Sequence, residues 1–160
     1  MLKNPWLETA VFKQVVQHAP LISIDLLIYN GNNEVLLGQR KNQPARGSWF
    51  VPGGRIMKDE SIRSAFSRIV LSEVGIAATT DQAVFHGVYE HFYEGENFAS
   101  EPGFGTHYIV IAFELKLEEA LPTLPMEQHG NYQWFSIPGL LQDEGVHRHV
   151  KNYFNGLETF

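Results

Sequence analysis

A chain of 160 residues with 18 acidic and 12 basic side chains, a formal charge of −6, is long enough to bury one core and too short for two ordinary ones. Hydrophobic residues make up 44% of it, which excludes intrinsic disorder, and the absence of cysteine excludes disulfides and thiolate metal sites, so any metal must be held by oxygen or nitrogen. The acidic balance argues against coating nucleic acid or an anionic membrane through bulk charge, but not against a small anion held locally. One domain spanning 1–160 is expected.

The first residues show no basic end followed by a continuous apolar run, so no signal peptide is expected. Asn4-Pro5 marks the start of a first helix carrying Leu7, Val11 and Val15, which should end before Pro20. The most apolar run, 21–29, is broken by Asp25 and too short to span a bilayer; a soluble cytoplasmic protein with no membrane or nucleic-acid partner is the expectation. That run and EVLLGQR flank Asn30-Gly31-Asn32-Asn33, a hairpin signal, and a short aromatic strand follows at 49–51. Pro52-Gly53-Gly54 then forms a tight backbone feature. After it comes a helix from about 60 to 74, closed by Gly75 in a left-handed cap. Further strands are expected at 84–93, 107–117 and 132–135, a short helix opened by Ser136 and Pro138, and a last helix at 146–157. The stretches 94–105 and 118–130, rich in Gly, Pro and acidic residues, read as long loops. Mixed strands around a central helix give an α/β or α+β sandwich, with a mixed sheet between helices.

The segment 54–76, GRIMKDESIRSAFSRIVLSEVGI, places Gly54, Glu60, Arg68, Glu73 and Gly75 at offsets of zero, six, fourteen, nineteen and twenty-one. These are the offsets of the Nudix box, and the segment resembles that of the Nudix hydrolases, implying their fold with its loop-helix at about 54–76. Two fixed positions depart: Ile69 and Ser72 stand where the box has glutamate. At about 100° per residue, Ile62, Phe66, Ile69 and Glu73 share one helical stripe with Ser72 on its flank. Glu73 on that apolar face needs either a salt-bridge partner or a cation. Glu60 and Arg68 point elsewhere and read as residues that order the loop. Where an ordinary box can gather several metal ions around three carboxylates, this helix offers one, which suits a single Mg²⁺ acting as a clamp on a diphosphate.

Outside the box, PLISIDLLIY, EVLLGQRKNQPARGSWFVPGGR, GVYEHFY, GTHYIVIAFEL and EQHGNYQWF resemble the GDP-mannose mannosyl hydrolases, a Nudix subgroup that shares the Ile69 and Ser72 departures. That resemblance implies hydrolysis of GDP-mannose, and of GDP-glucose, to GDP and free sugar by inverting substitution at the anomeric carbon. It implies one Mg²⁺ held by the Gly53 carbonyl, Glu73 and Gln128, with His129 as general base and Arg40 and Arg55 stabilising the departing diphosphate. Asp25, His91 and Tyr108 match polar positions facing the substrate. Trp6, Leu7 and Phe12 align with residues that approach the nucleotide, on a first helix that takes part in a homodimer. From the residues alone, each has a plainer alternative as a core, sheet, loop or surface salt-bridge residue. The other histidines receive no role; His147 and His149, two apart in an expected helix, should not share a face. Two competing functions stay open: a Nudix pyrophosphohydrolase cutting P–O–P in a nucleotide sugar or nucleoside triphosphate, and a non-catalytic nucleotide-binding module on a degraded box.

Overall fold

The computed structural model describes residues 6–119, 121, 124 and 129–156. In chain order these form α1 (Thr9–His18), β1 (Leu21–Tyr29), β2 (Val35–Arg40), β3 (Trp49–Phe50), β4 (Gly53–Arg55), α2 (Ile62–Val74), β5 (Val84–Tyr93), β6 (Thr106–Lys116), β7 (His129–Phe135), α3 (Ile137–Gln142) and α4 (Arg148–Lys151). The sheet order is β3-β2-β1-β6-β5, with β1 and β6 parallel along their whole length, β4 added to β1, and β7 to β2. The free edge of β1 is thereby split. Residues 23–25 pair with β4, whereas β2 joins only at Tyr29, and the functional cleft draws residues from both sides of this divergence.

Alternation along β1 sends Ile24, Leu26 and Ile28 to one core with Phe66, Ile69, Val70 and Val74 of α2. Leu27, on the opposite face, joins Phe50, Leu140, Val150 and Tyr153 under α3 and α4. Helix α2 starts where Ser61 accepts the Ser64 N–H and stops at Gly75, whose φ of 80° completes the expected left-handed cap.

Several boundaries depart from the sequence expectations. Pro52-Gly53-Gly54 runs into a true strand, because Gly53 and Gly54 let β4 lie against β1 and α2 together. A Cβ on Gly53 would come within 2.5 Å of Asp25 Oδ1, and one on Gly54 within 3.1 Å of Ile69 Cγ1. Ile62 is exposed and leaves the stripe, which is carried by Phe66, Ile69 and Glu73 with Ala65 and Val70 beside them. In α1, Leu7 precedes the helix and Val11 is exposed, so Val16 anchors it instead; Asn4-Pro5 lies outside the described residues. The strand expected at 132–135 begins at His129, and the final helix shortens to Arg148–Lys151.

Candidate active site

A cleft of about 350 Å³ opens between the β4–α2 unit and the ends of β2, β5 and β6. Its helical wall is built locally. Arg68 donates from Nε to Glu60 Oε1 at 2.7 Å and from Nη2 to Glu60 Oε2 at 2.9 Å, and Nη2 also reaches the Arg55 carbonyl at 2.8 Å. Glu60 Oε2 in turn accepts the Met57 N–H at 2.9 Å, and these donors hold its carboxyl below the usual range. The pair therefore pins the 55–60 loop to α2, the ordering role expected for it. Glu73 lines the cleft while only 6% exposed. Ile69 is buried against Gly54, and exposed Ser72 turns its hydroxyl back to the Ile69 carbonyl at 3.2 Å. Of those three positions, only Glu73 brings a carboxylate.

Gly53 also lines the cleft. Leu26 N–H donates to Pro52 O, which makes Asp25 and Gly53 a non-hydrogen-bonded pair and leaves the Gly53 carbonyl out of the β1 ladder. A carboxylate and a carbonyl are hard oxygen donors that fit Mg²⁺. Among the described residues no group of three His, Asp or Glu side chains could hold a metal, so an ion at this place would complete its shell with phosphate oxygens and water. Gln128, the remaining proposed ligand, lies outside the described residues.

The two arginines reach the cleft from different elements. Arg40, at the end of β2, donates from Nε to the Pro44 carbonyl at 2.8 Å. Arg55 lays its guanidinium 4.6 Å from the Phe12 ring centroid, and partial burial lowers its pKa. Trp6 lines the cleft while largely exposed; Phe12 touches it through Arg55; Leu7 is exposed and is not part of the lining.

The floor is assembled from distant segments. Asp25, 6% exposed, accepts a short hydrogen bond from the Tyr153 hydroxyl. Burial pushes its pKa up to about 7 against the opposing pull of Tyr153 and Arg40. The same hydroxyl lies 3.3 Å from His91 Nε2. With that hydroxyl donating to Asp25, its oxygen is left to accept from an Nε2–H of His91. His91 stacks on His149 at 4.2 Å, and burial together with its histidine neighbours depresses its pKa to about 2. Tyr108 lies opposite His91 in the β5–β6 register, and burial raises its pKa.

Tyr153, His149 and His147 were missed by the sequence reasoning. The two histidine rings lie 4.7 Å apart because His147 is the N-cap of α4, outside the helix, with its Nδ1 accepting the His149 N–H. Helical spacing does not relate the two, because α4 begins at Arg148, between them.

His129 does not occupy the polar loop expected of it. It is the first residue of β7, opposite Arg40, only 1% exposed, and it is not among the residues lining the cleft. Its ring lies over Gly38, where a Cβ would come within 2.5 Å of it, and its Nδ1 is 3.9 Å from Glu73 Oε2. Among the described residues neither ring nitrogen has a hydrogen-bond partner, and burial beside Arg40 and Lys41 lowers the pKa to about 4. Burial thus favours the neutral ring in this position.

Comparison with known proteins gives a consistent picture. The chain matches the model of the NUDIX domain over residues 19–155. It is 36% identical over 148 residues to the low-salt glycan biosynthesis protein Agl8 of Haloferax volcanii, covering 92% of this chain and 88% of that protein. Among solved structures, the MutT protein of Methanosarcina mazei Go1 superposes with a TM-score of 0.67 at 25% identity, over 86% of this chain and 92% of that one. A MutT NUDIX hydrolase from Burkholderia pseudomallei gives a TM-score of 0.68 at 22% identity, over 88% of this chain and all of that one, a likeness of fold. Among the described residues no helix is long and apolar enough to cross a membrane.

Proposed function

Because the chain belongs to the Nudix family, we propose that it is a Mg²⁺-dependent hydrolase of GDP-mannose, and of GDP-glucose, releasing GDP and free sugar by inverting substitution at the anomeric carbon. The observation that carries this reading is the replacement of two box carboxylates by a packed Ile69 and a neutral Ser72, both lining the cleft that also holds two arginines. Attack at phosphorus commonly draws on several metal ions, and this wall turns one carboxylate, Glu73, to the cleft, Glu60 being paired with Arg68. The similarity to a glycan biosynthesis protein favours a sugar-bearing substrate.

In this reading Arg40 and Arg55 grip the diphosphate, each guanidinium being able to donate to two oxygens. Glu73, the Gly53 carbonyl and Gln128 would hold the ion, which supplies positive charge against the departing GDP. Asp25, His91 and Tyr108 face the sugar, with Asp25 and His91 oriented by Tyr153. Trp6 and Phe12 stand on the nucleotide side. His129 takes the proton of the attacking water, and to do so its buried ring, now over Gly38 and 3.9 Å from Glu73, must turn into the cleft. Exposed Leu7 and Val11 supply apolar surface for the homodimer proposed through the first helix.

Phosphorus NMR of a GDP-mannose digest in Mg²⁺ tests the reaction. GDP with free mannose is expected. GMP with mannose phosphate would move the cut to P–O–P, and tight binding of the unconsumed sugar nucleotide would make the chain a binding module.

A further inference from the structure

The connection between β5 and β6, residues 94–105, is organised around one side chain. Asn97 is wholly buried and uses both ends of its amide: Nδ2 donates to the carbonyls of Glu101 (2.8 Å) and Phe104 (3.0 Å), and Oδ1 accepts from the N–H groups of Ala99 (3.1 Å) and Glu101 (3.3 Å). A loop closed on itself this way is a rigid body.

Two arms leave it. On one side Phe98 packs on Phe12, ring centroids 4.8 Å apart, and Glu101 pairs with Lys13 on the next residue of α1. The Phe12 ring also carries the Arg55 guanidinium, at 4.6 Å. On the other side Glu96 Oε2 accepts the Ala45 N–H at 3.0 Å, while the Glu96 carbonyl is tied to Thr106 Oγ1 at 2.7 Å. Ala45 has a φ of 63°, an uncommon conformation for a residue other than glycine, and directly follows Pro44, whose carbonyl accepts from Arg40 Nε. Each arm thus ends on a different arginine.

We propose that the 94–105 loop is the positioning element for both cleft arginines, with Phe98 acting through Phe12 on Arg55 and Glu96 acting through residues 44–45 on Arg40. The inference rests on the reading of Arg40 and Arg55 as diphosphate ligands. The loop touches no phosphate itself; it fixes the separation and aim of the two groups that do, so binding does not have to order two long side chains. The ligand recognised by the pair is a diphosphate ester.

The test is GDP binding in MgCl₂ by calorimetry, with melting temperature as the fold control, in a crossed set of variants. Phe98→Ala is expected to weaken GDP about fivefold in the wild-type background and to add nothing in Arg55→Ala. Glu96→Ala should weaken it by a similar factor, add nothing in Arg40→Ala, and still add its full effect in Arg55→Ala. Glu96→Gln, which can accept the same N–H, should restore affinity. If Phe98→Ala does not fold, Phe98→Leu replaces it and is expected to show a smaller loss with the same dependence on Arg55. Full additivity of each loop variant with its own arginine, or wild-type affinity in both, overturns the inference while leaving the arginine reading in place. If Arg40→Ala and Arg55→Ala themselves bind GDP like the wild type, the arginine reading falls and the role of the loop with it.

Discussion

The two polar sides of the cleft are built in opposite ways. The helical wall is a short-range structure: Glu60, Arg68, Ile69, Ser72 and Glu73 sit on or just before one helix, and the hydrogen bonds of Glu60, Arg68 and Ser72 run within that helix and its leading loop. The floor is long-range. Asp25 comes from β1, His91 from β5, and Tyr153, whose hydroxyl holds Asp25, lies 128 positions further along the chain. In the wall, the Arg68 guanidinium, 33% exposed, holds the Glu60 carboxyl, 16% exposed, below its usual range. Below it, burial shifts an acid up to about 7 and three histidines down, disfavouring the charged form of each. The wall is made to keep its charges fixed, and the floor to present hydrogen-bonding groups of low charge.

Substitutions sharpen this contrast. The largest effects should fall where the wall meets the chemistry. Glu73→Gln removes the only carboxylate among the proposed ligands and should lower both the apparent Mg²⁺ affinity and kcat. His129→Gln should cost on the order of 10²–10⁴-fold in kcat with KM little changed. Steady-state kinetics across a Mg²⁺ series separates the two, and an unchanged kcat in His129→Gln removes it as the base. Next, Arg68→Ala strips Glu60 of its cation in a partly buried setting and should destabilise the fold by about 2 kcal/mol, read from urea unfolding. Tyr153→Phe leaves the buried Asp25 short of a donor and should cost about 1–2 kcal/mol. It should also raise KM for GDP-mannose more than for GDP, because the floor faces the sugar. Equal increases would detach the floor from sugar binding.

The smallest effect is a pH dependence. His91, His147 and His149 have folded pKa values of about 2, 4 and 4, below the 6.5 of the unfolded chain. The unfolded state therefore binds more protons, and stability is lost as pH falls from about 6.5 towards 4. Asp25 acts in the opposite sense across the same window, since its raised folded pKa makes stability fall as pH rises from about 4 to 7. With His129, also lowered to about 4, four groups against one leave a net loss on acidification. His149→Phe, which keeps a ring in the stack, should flatten the acid limb of urea midpoints measured between pH 4 and 7. A limb as steep as the wild type's would show that His149 does not contribute.

The same contrast explains what could be read from the chain. Spacing within one helix is a direct image of geometry, so Gly54, Glu60, Arg68, Glu73 and the cap at Gly75 could be placed from letters alone, and the ordering role of Glu60 and Arg68 was legible with them. Asp25 stood out because a carboxylate interrupts an apolar strand. Its partner Tyr153 carried no such mark, being one apolar-looking residue among several near the end of the chain. His147 and His149 were misjudged because their relation depends on a one-residue detail, the start of α4. His129 was adjacent to a proposed ligand in sequence, yet the strand that carries it starts earlier than its composition suggests, and so it is buried.

Gly38 illustrates how such an arrangement would surface in a mutational scan. It sits in the middle of β2, in no turn, and a strand at that place would ordinarily accept alanine. A methyl group there would occupy the volume of the His129 ring. Intolerance at this glycine would thus be inherited from a histidine about ninety positions away, and a map of sensitive sites drawn from substitutions alone would credit Gly38 with a role that belongs to the residue resting upon it.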